Sequence, residues 1–309
     1  MKLINPSFEI LEQTPGIQGI KQQIEFAGRT CYKSEDKITD TSCEEFVSRM
    51  VNSGHGAMLE HGTVYLKIPY KYIDVSCALE IPIMEDLVAK YTENKYSICI
   101  TINSIAYITT NYRVLVENGW LDDLQYQCKP TEHHEKRITV KFICDRGVSH
   151  EFVRHRVFSF AQESTRYCNY SKDKFGNEVT YIIPEWCPEI VEESNKDYDH
   201  YSTYDKVYLQ HLQMTEEVYF NLLKQWDEKI PDKRYKSGFR NNPWTPQQAR
   251  AVLPNSLKTE LVMTGFVSDW KHFFELRCHS TAHPQARELA IPLQEEFKNR
   301  GYYEMERSN

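Results

Sequence analysis

The sequence predicts an α+β chain, because strand and helix signals are both strong and interleave along it. Ile138, Val140 and Phe142 alternate with Thr139 and Lys141, as in a half-buried strand. Tyr204, Tyr208, His211, Leu212, Thr215, Tyr219 and Leu222 keep the three-to-four spacing of one helix face. Thr245, Pro246 and Gln248 combine an N-cap, a proline at the first helical position and a capping-box glutamine.

Taken in order, residues 8–13 read as a strand ended by the Thr14, Pro15, Gly16 turn. Ile17, Ile20, Ile24 and Ala27 then predict a helix. Thr41 and Ser42 each precede a glutamate by three residues, which predicts a capping box. That helix has Phe46, Met50 and Val51 on its apolar side and Gly54 as C-terminal cap. Residues 63–68 form the next strand. Residues 69–135 read as an elaboration with a helical segment, an apolar stretch at 98–108 and a second helix.

After the strand at 138–143 the chain turns at Asp145, Arg146 and Gly147. Ser149 is placed to cap a short helix that ends in Arg154, His155 and Arg156. Residues 179–183 are a strand stopped by Pro184, and residues 261–266 another. Ser268 is read as the cap of a helix on which Trp270, Phe273, Phe274 and Arg277 fall at i, i+3, i+4 and i+7. A guanidinium on an apolar stripe either faces an anionic ligand or snorkels at the helix end. The last helix, 284–298, contains Pro292 and is expected to kink there.

Composition narrows the function. The formal charge of −7 over 309 residues argues against binding nucleic acid through bulk attraction, so any anion must be held by a local basic cluster. Nine scattered cysteines, with no close pair of zinc-site spacing, predict reduced thiols. No apolar run is long enough to cross a bilayer, and no signal-peptide pattern is present. The expectation is a soluble cytoplasmic protein, with no membrane and no nucleic-acid partner.

The chemistry-bearing stretch runs from Glu151 to Tyr167. Arg154, His155, Arg156, Ser164, Thr165 and Arg166 lie close together in it. Guanidinium forks suit phosphate and carboxylate oxygens, and hydroxyls add directed donors. One reading is an anion pocket for a planar, phosphorylated ligand; the other is a helix end whose cations complement its dipole. Upstream, His55, Glu60 and His61 suggest a metal, but no third nitrogen or sulfur ligand is nearby. No metal is expected, and His55 is read as stacking or hydrogen bonding near a cofactor.

These residues resemble the flavin-dependent thymidylate synthases. The hallmark of that family is Arg-His-Arg, seven residues, then Ser, which here runs from Arg154, His155 and Arg156 to Ser164. Gly54 and His55 with Glu60 and His61 are similar to its upstream flavin segment. Ala249 to Pro254, and Leu276 with Arg277, are similar to two downstream segments in the right order.

The resemblance implies a mixed sheet flanked by helices, in one domain over 1–309 with insertions at about 69–135 and 188–243. It implies reductive methylation of dUMP to dTMP, with 5,10-methylenetetrahydrofolate as carbon donor and NADPH as hydride source through FAD. It also implies a homotetramer with active sites at subunit interfaces. The implied FAD contacts are His55, Arg154, His155, Arg156, Gln162 and His272. The implied dUMP contacts are Glu151, Arg154, Gln162, Glu163, Ser164, Thr165, Arg166, Arg250 and Arg277, with Arg277 stabilising charge on the uracil ring.

Some positions depart from the family pattern. Glu151 stands where many relatives have glutamine, and Gln162 and Glu163 replace a glutamate followed by an apolar residue. Cys31 and Ala57 replace small hydroxyl residues, and His272 replaces an asparagine. Two other readings compete. Cys278 beside His279 suggests a thiolate nucleophile without flavin. The basic segment and abundant tyrosines suggest an RNA- or nucleotide-binding module, against the acidic total.

Overall fold

The computed structural model describes residues 1–69, 85–187, 190, 201–224, 230–231, 239–240 and 243–302. Residues 70–84 of the first expected insertion, and most of the second outside 201–224, lie outside the described residues.

The chain opens with β1 (Lys2–Ile4) and β2 (Ser7–Leu11), followed by α1 (Ile17–Tyr32), α2 (Ser42–Asn52) and the one-turn α3 (Gly56–Leu59). Next come β3 (Thr63–Pro69), α4 (Glu85–Thr92), β4 (Ile98–Ile102), β5 (Ile105–Asn111) and α5 (Tyr112–Asn118). β6 (Arg137–Asp145) leads into α6 (Arg146–Phe152), β7 (Ser159–Gln162) and β8 (Thr180–Ile182). The C-terminal part holds α7 (Thr203–Leu223), β9 (Ile230–Pro231), β10 (Phe239–Arg240), α8 (Pro246–Ala249), β11 (Lys258–Phe266), α9 (Val267–Arg277) and α10 (Pro284–Asn299).

The class is α+β, as predicted. The described strands form four sheets, ordered β1-β8, β10-β9, β2-β6-β11-β7 and β3-β5-β4. The β1-β8 pair is parallel, and β11-β7, β3-β5 and β4-β5 are antiparallel.

The chain divides into two compact units. One comprises Met1–Ser7, Ile143–Phe152 and Glu163–Glu260; the other comprises Phe8–Phe142, Val153–Gln162 and Leu261–Asn309. The first has a core of Tyr181, Leu212, Tyr219, Ala249 and Leu257. In the second, Ile20, Ile24, Val64, Leu66, Ile108 and Leu115 form one cluster. Trp270 is fully buried there against Phe158, Phe273 and Phe297, and its indole N–H is satisfied by Ile138 O at 3.1 Å.

Several local expectations are corrected by competing side chains. The strand β1 was too short to show in the sequence pattern. The stretch 98–108 is two strands, because Asn103 and Ser104 both adopt positive φ, 50° and 60°, and turn the chain. The capping box at Thr41 and Ser42 does not form: the Ser42 hydroxyl donates instead to Glu25 Oε2 at 2.8 Å. The far end of α2 does close as expected. Gly54 sits at φ 69°, with its N–H on Val51 O (3.1 Å) and that of His55 on Met50 O (2.9 Å).

On α7 the buried face is Asp205, Leu209, Leu212, Thr215 and Tyr219, whereas Tyr204, predicted on the apolar stripe, is exposed. At α6 the cap is Asp145, whose Oδ1 accepts from Val148 N at 2.8 Å. Ser149 lies inside that helix and bonds Arg146 O, and Arg154, His155 and Arg156 follow the helix rather than ending it.

At α9 the N-cap is Phe266 and not Ser268, which lies inside the helix; Asp269, three residues past the cap, reaches back and accepts from Phe266 N at 3.1 Å. A carboxylate accepts a cap bond more strongly than a hydroxyl. Asp269→Ala is therefore expected to cost about 1 kcal/mol, and Ser268→Ala to stay within about 0.5 kcal/mol. Urea unfolding midpoints of the two variants check this pair, and equal losses would contradict it.

Candidate functional site

In the second unit the Arg154, His155, Arg156 stretch is a turn between α6 and β7, and its burial alternates. Arg154 and Arg156 are exposed, while His155 between them is 8% exposed. The imidazole lies against Phe273 at 5.0 Å and meets Phe158 edge-on at 6.2 Å between centroids. Phe158 can pack so closely because Gly265 of β11 has no side chain; a Cβ there would lie 2.5 Å from the phenyl ring. Arg277, from the last turn of α9, donates its Nε–H to His155 Nε2 at 2.9 Å. The guanidinium of the apolar stripe thus reaches the histidine of the basic turn.

That hydrogen bond fixes the proton on Nδ1, because Nε2 must accept. Burial first, then the neighbouring Arg277, His272 and Arg154, push the pKa of His155 from 6.5 to about 4. His155 is a neutral imidazole at physiological pH. His272 is exposed on α9, with its ring 6.4 Å from that of His155 and Nδ1 3.3 Å from Glu275. Gln162 ends β7, paired with Leu261 of β11. His55 is exposed at the N-terminus of α3. The Cys31 sulfur lies 3.9 Å from Met58 Sδ, and burial pushes its pKa up to about 11.

Beneath β7 lies a polar network that the sequence reading missed. His61 is fully buried, with Nδ1 2.8 Å from Thr264 Oγ1, which is 2.9 Å from Thr139 Oγ1. Burial, with Arg137 second, pushes the His61 pKa to about 3. Arg137 is buried as well and donates to Glu60 O at 3.0 Å, to Thr63 Oγ1 and to Ser159 Oγ. These residues are far apart in sequence, and only the polar Thr139 and Thr264 on otherwise apolar strands hinted at them. Glu60 is ion-paired with Arg113. Among the described residues no cluster of His, Cys, Asp and Glu is arranged to hold a metal.

In the first unit a second constellation forms. Residues 164–168 make a turn in which Ser164 O accepts from Tyr167 N and Cys168 N, and Ser164 Oγ from Arg166 N at 3.3 Å. Arg250 donates to Thr165 Oγ1 at 3.1 Å, so the downstream arginine joins this turn. The capping box that delivers it forms as predicted, with Thr245 N on Gln248 Oε1 at 2.9 Å. Arg166 is exposed and lies over the Tyr167 ring. Glu151 is half-buried near the end of α6.

Glu163 is 3% exposed, and its carboxylate accepts from Lys258 and from the Tyr170 hydroxyl. Burial pulls the Lys258 pKa down, but the Glu163 and Glu260 carboxylates outweigh it and hold the ammonium above its ordinary value. Nothing in the sequence marked Lys258.

The thiolate reading loses its support. Burial pushes Cys278 up to about 11, so the thiol is protonated at neutral pH. His279 Nδ1 is engaged with Thr281.

Comparison with known proteins follows the same residues. A family model described as thymidylate synthase complementing protein matches residues 99–300. A flavin-dependent thymidylate synthase of Corynebacterium efficiens is 30% identical over 167 residues, 54% of this chain and 59% of the relative. That of Corynebacterium aurimucosum is 25% identical over 270 residues, covering 87% of this chain and 72% of the relative. That of Pyrococcus furiosus is 29% identical over 157 residues, 51% and 52% of the two chains. The chain thus spans a little over half the length of the first and third of these relatives. A crystal structure of the UMP/dUMP methylase PolB of Streptomyces cacaoi, bound with 5-Br dUMP, aligns with a TM-score of 0.40 and 17% identity, covering 97% of this chain and 92% of that one.

The neutral state of His155 has a consequence for stability. Its folded pKa, about 4, lies below the ordinary 6.5, so between those values the unfolded chain binds the proton more readily. Stability is fully present above pH 6.5 and falls as pH drops towards 4. Unfolding midpoints at neutral and mildly acid pH should show this loss. His155→Gln should shrink it, and an unchanged slope would contradict the assignment.

Proposed function

The chain belongs to the thymidylate synthase complementing protein family, and on that premise we propose that it is a flavin-dependent thymidylate synthase. It methylates dUMP reductively to dTMP, taking carbon from 5,10-methylenetetrahydrofolate and hydride from NADPH through FAD. The observation that carries this reading is the Arg277 contact to the neutral, buried His155.

The residues present fit both ligands. Arg154 and Arg156 are exposed guanidiniums on one turn, a donor set suited to the diphosphate of FAD. His155 stays uncharged, packed against Phe158 and Phe273, so it adds no further charge between the two arginines. With His55, Gln162 and His272 they would hold the flavin. FAD, when bound, supplies the hydride chemistry that no side chain can.

For dUMP, the turn at Ser164, Thr165 and Arg166, with Arg250 on Thr165, offers hydroxyl, backbone and guanidinium donors to a phosphate. Ser164 binds and does not attack: its Oγ accepts the Arg166 N–H and closes the turn. Glu151, Arg154 and Gln162 complete the nucleotide set. A guanidinium, unlike an ammonium, is not readily neutralised, which suits Arg277 to stabilise the uracil ring when N3 loses its proton. His155, accepting from Arg277, orients that guanidinium.

The assembly carried by the resemblance is a homotetramer with active sites at subunit interfaces, in the cytoplasm. No described helix is long and apolar enough to cross a membrane. Light scattering of the purified protein should give four times the chain mass.

The first test is the absorbance spectrum of the purified protein before and after dUMP. A flavin spectrum that shifts with dUMP is expected; a colourless protein that takes up no added FAD would overturn the reading. Arg277→Ala should lower kcat/KM for dUMP by about 100-fold or more with flavin retained. His55→Ala should instead weaken flavin retention, and unchanged flavin content would refute that assignment.

A further inference from the structure

The turn that carries Ser164, Thr165 and Arg166 is tied at its neck. Glu163, immediately before it, gives its backbone N–H to Glu260 O at 2.8 Å. Its buried carboxylate is held at both oxygens, Oε2 by Lys258 Nζ at 2.9 Å and Oε1 by the Tyr170 hydroxyl at 3.4 Å. Tyr170 stands just past the far side of the turn, where Cys168 N already bonds Ser164 O at 3.0 Å. Glu163 and Tyr170 thus bridge the neck side chain to side chain. Lys258, which also reaches the Glu260 carboxylate, fixes that bridge to β11.

This arrangement accounts for a departure visible in the sequence. Where the resembled family has an apolar residue, this chain buries a glutamate. An ionised carboxylate is stable there only with a cation and hydrogen bonds beside it. Lys258 and Tyr170 supply them.

We propose that Glu163 and Lys258 are positioning residues for the nucleotide turn: they hold its geometry through the Tyr170 bridge and do not touch the nucleotide. The inference rests on the reading of 164–166 as a dUMP-binding turn. Arg250 on Thr165 fixes the middle of the turn, and the Glu163 bridge fixes its ends. Releasing the ends should therefore cost nucleotide affinity before it costs chemistry.

The test uses the FAD-loaded enzyme and the variants Glu163→Gln, Glu163→Leu, Lys258→Met, Lys258→Arg and the double variant E163L/K258M. The dUMP affinity is read from the flavin absorbance change, beside steady-state kcat and KM and flavin content. Glu163→Gln and Lys258→Met are expected to raise Kd and KM for dUMP about tenfold, with kcat at saturating dUMP within about twofold and flavin content unchanged. Lys258→Arg should restore affinity, because it still bridges two carboxylates. The double variant should be no weaker than the worse single, since both residues act through one bridge.

Unchanged dUMP affinity in Glu163→Gln would overturn the proposal. So would losses that add fully in the double variant, which would mean that Glu163 touches the nucleotide itself. If Lys258→Met fails to fold, the apolar double variant and Glu163→Gln carry the test. A wild-type enzyme that binds no dUMP removes the functional reading and this inference with it, whereas normal wild-type binding with indifferent variants removes only this inference.

Discussion

Seven consecutive residues of β11, Thr259 to Gly265, are buried, so every polar atom on that strand has to find its partner inside the protein. Much of the chemistry described above follows from how this is met. Thr264 takes up His61 and Thr139. Glu260 takes up Lys258, and Lys258 in turn takes up Glu163. Gly265 has no side chain at all, and Phe158 fills the room that this leaves. A strand of this kind tolerates few substitutions, because most changes would either strand a polar group or push on an aromatic ring.

The charges of this acidic chain are sorted by burial. Exposed arginines stand on turns, at 154, 156 and 166. Arg137 and Arg29, which are buried, and Lys258, which is half-buried, are given acceptors: Arg137 has a carbonyl and hydroxyls, Lys258 has two carboxylates, and Arg29 has Glu25. Buried imidazoles go the other way and remain neutral, because burial and nearby guanidiniums both oppose a second positive charge. The molecule thereby offers fixed positive charge at its exposed turns and hydrogen-bonding neutrality beneath them.

Some signals contained within one helix or one turn were legible in the sequence, and those that depend on distant partners were not. Thr245 with Gln248, and Gly54 at its positive φ, read correctly because their geometry is set within a few residues. Arg277 stood out because a cation on an apolar stripe demands a partner, yet that partner, 122 residues away, could not be read from spacing. Ser149 lost its capping role to the carboxylate of Asp145, and Ser268 to Phe266, whose N–H is taken up by Asp269. Glu163 was visible as an odd residue in a known pattern. Lys258, which makes it tolerable, lies 95 positions on and carries no local mark.

The parallel pairing of β1 with β8 sets Lys2 opposite Thr180 and Ile4 opposite Ile182. On the ribosome, the first strand emerges long before its only described sheet partner has been made. At about 5–20 residues per second its edge waits on the order of ten seconds or longer. Through that interval its charge and shortness are what guard it against pairing elsewhere. Three residues, one of them a lysine, are a small edge to leave open for so long.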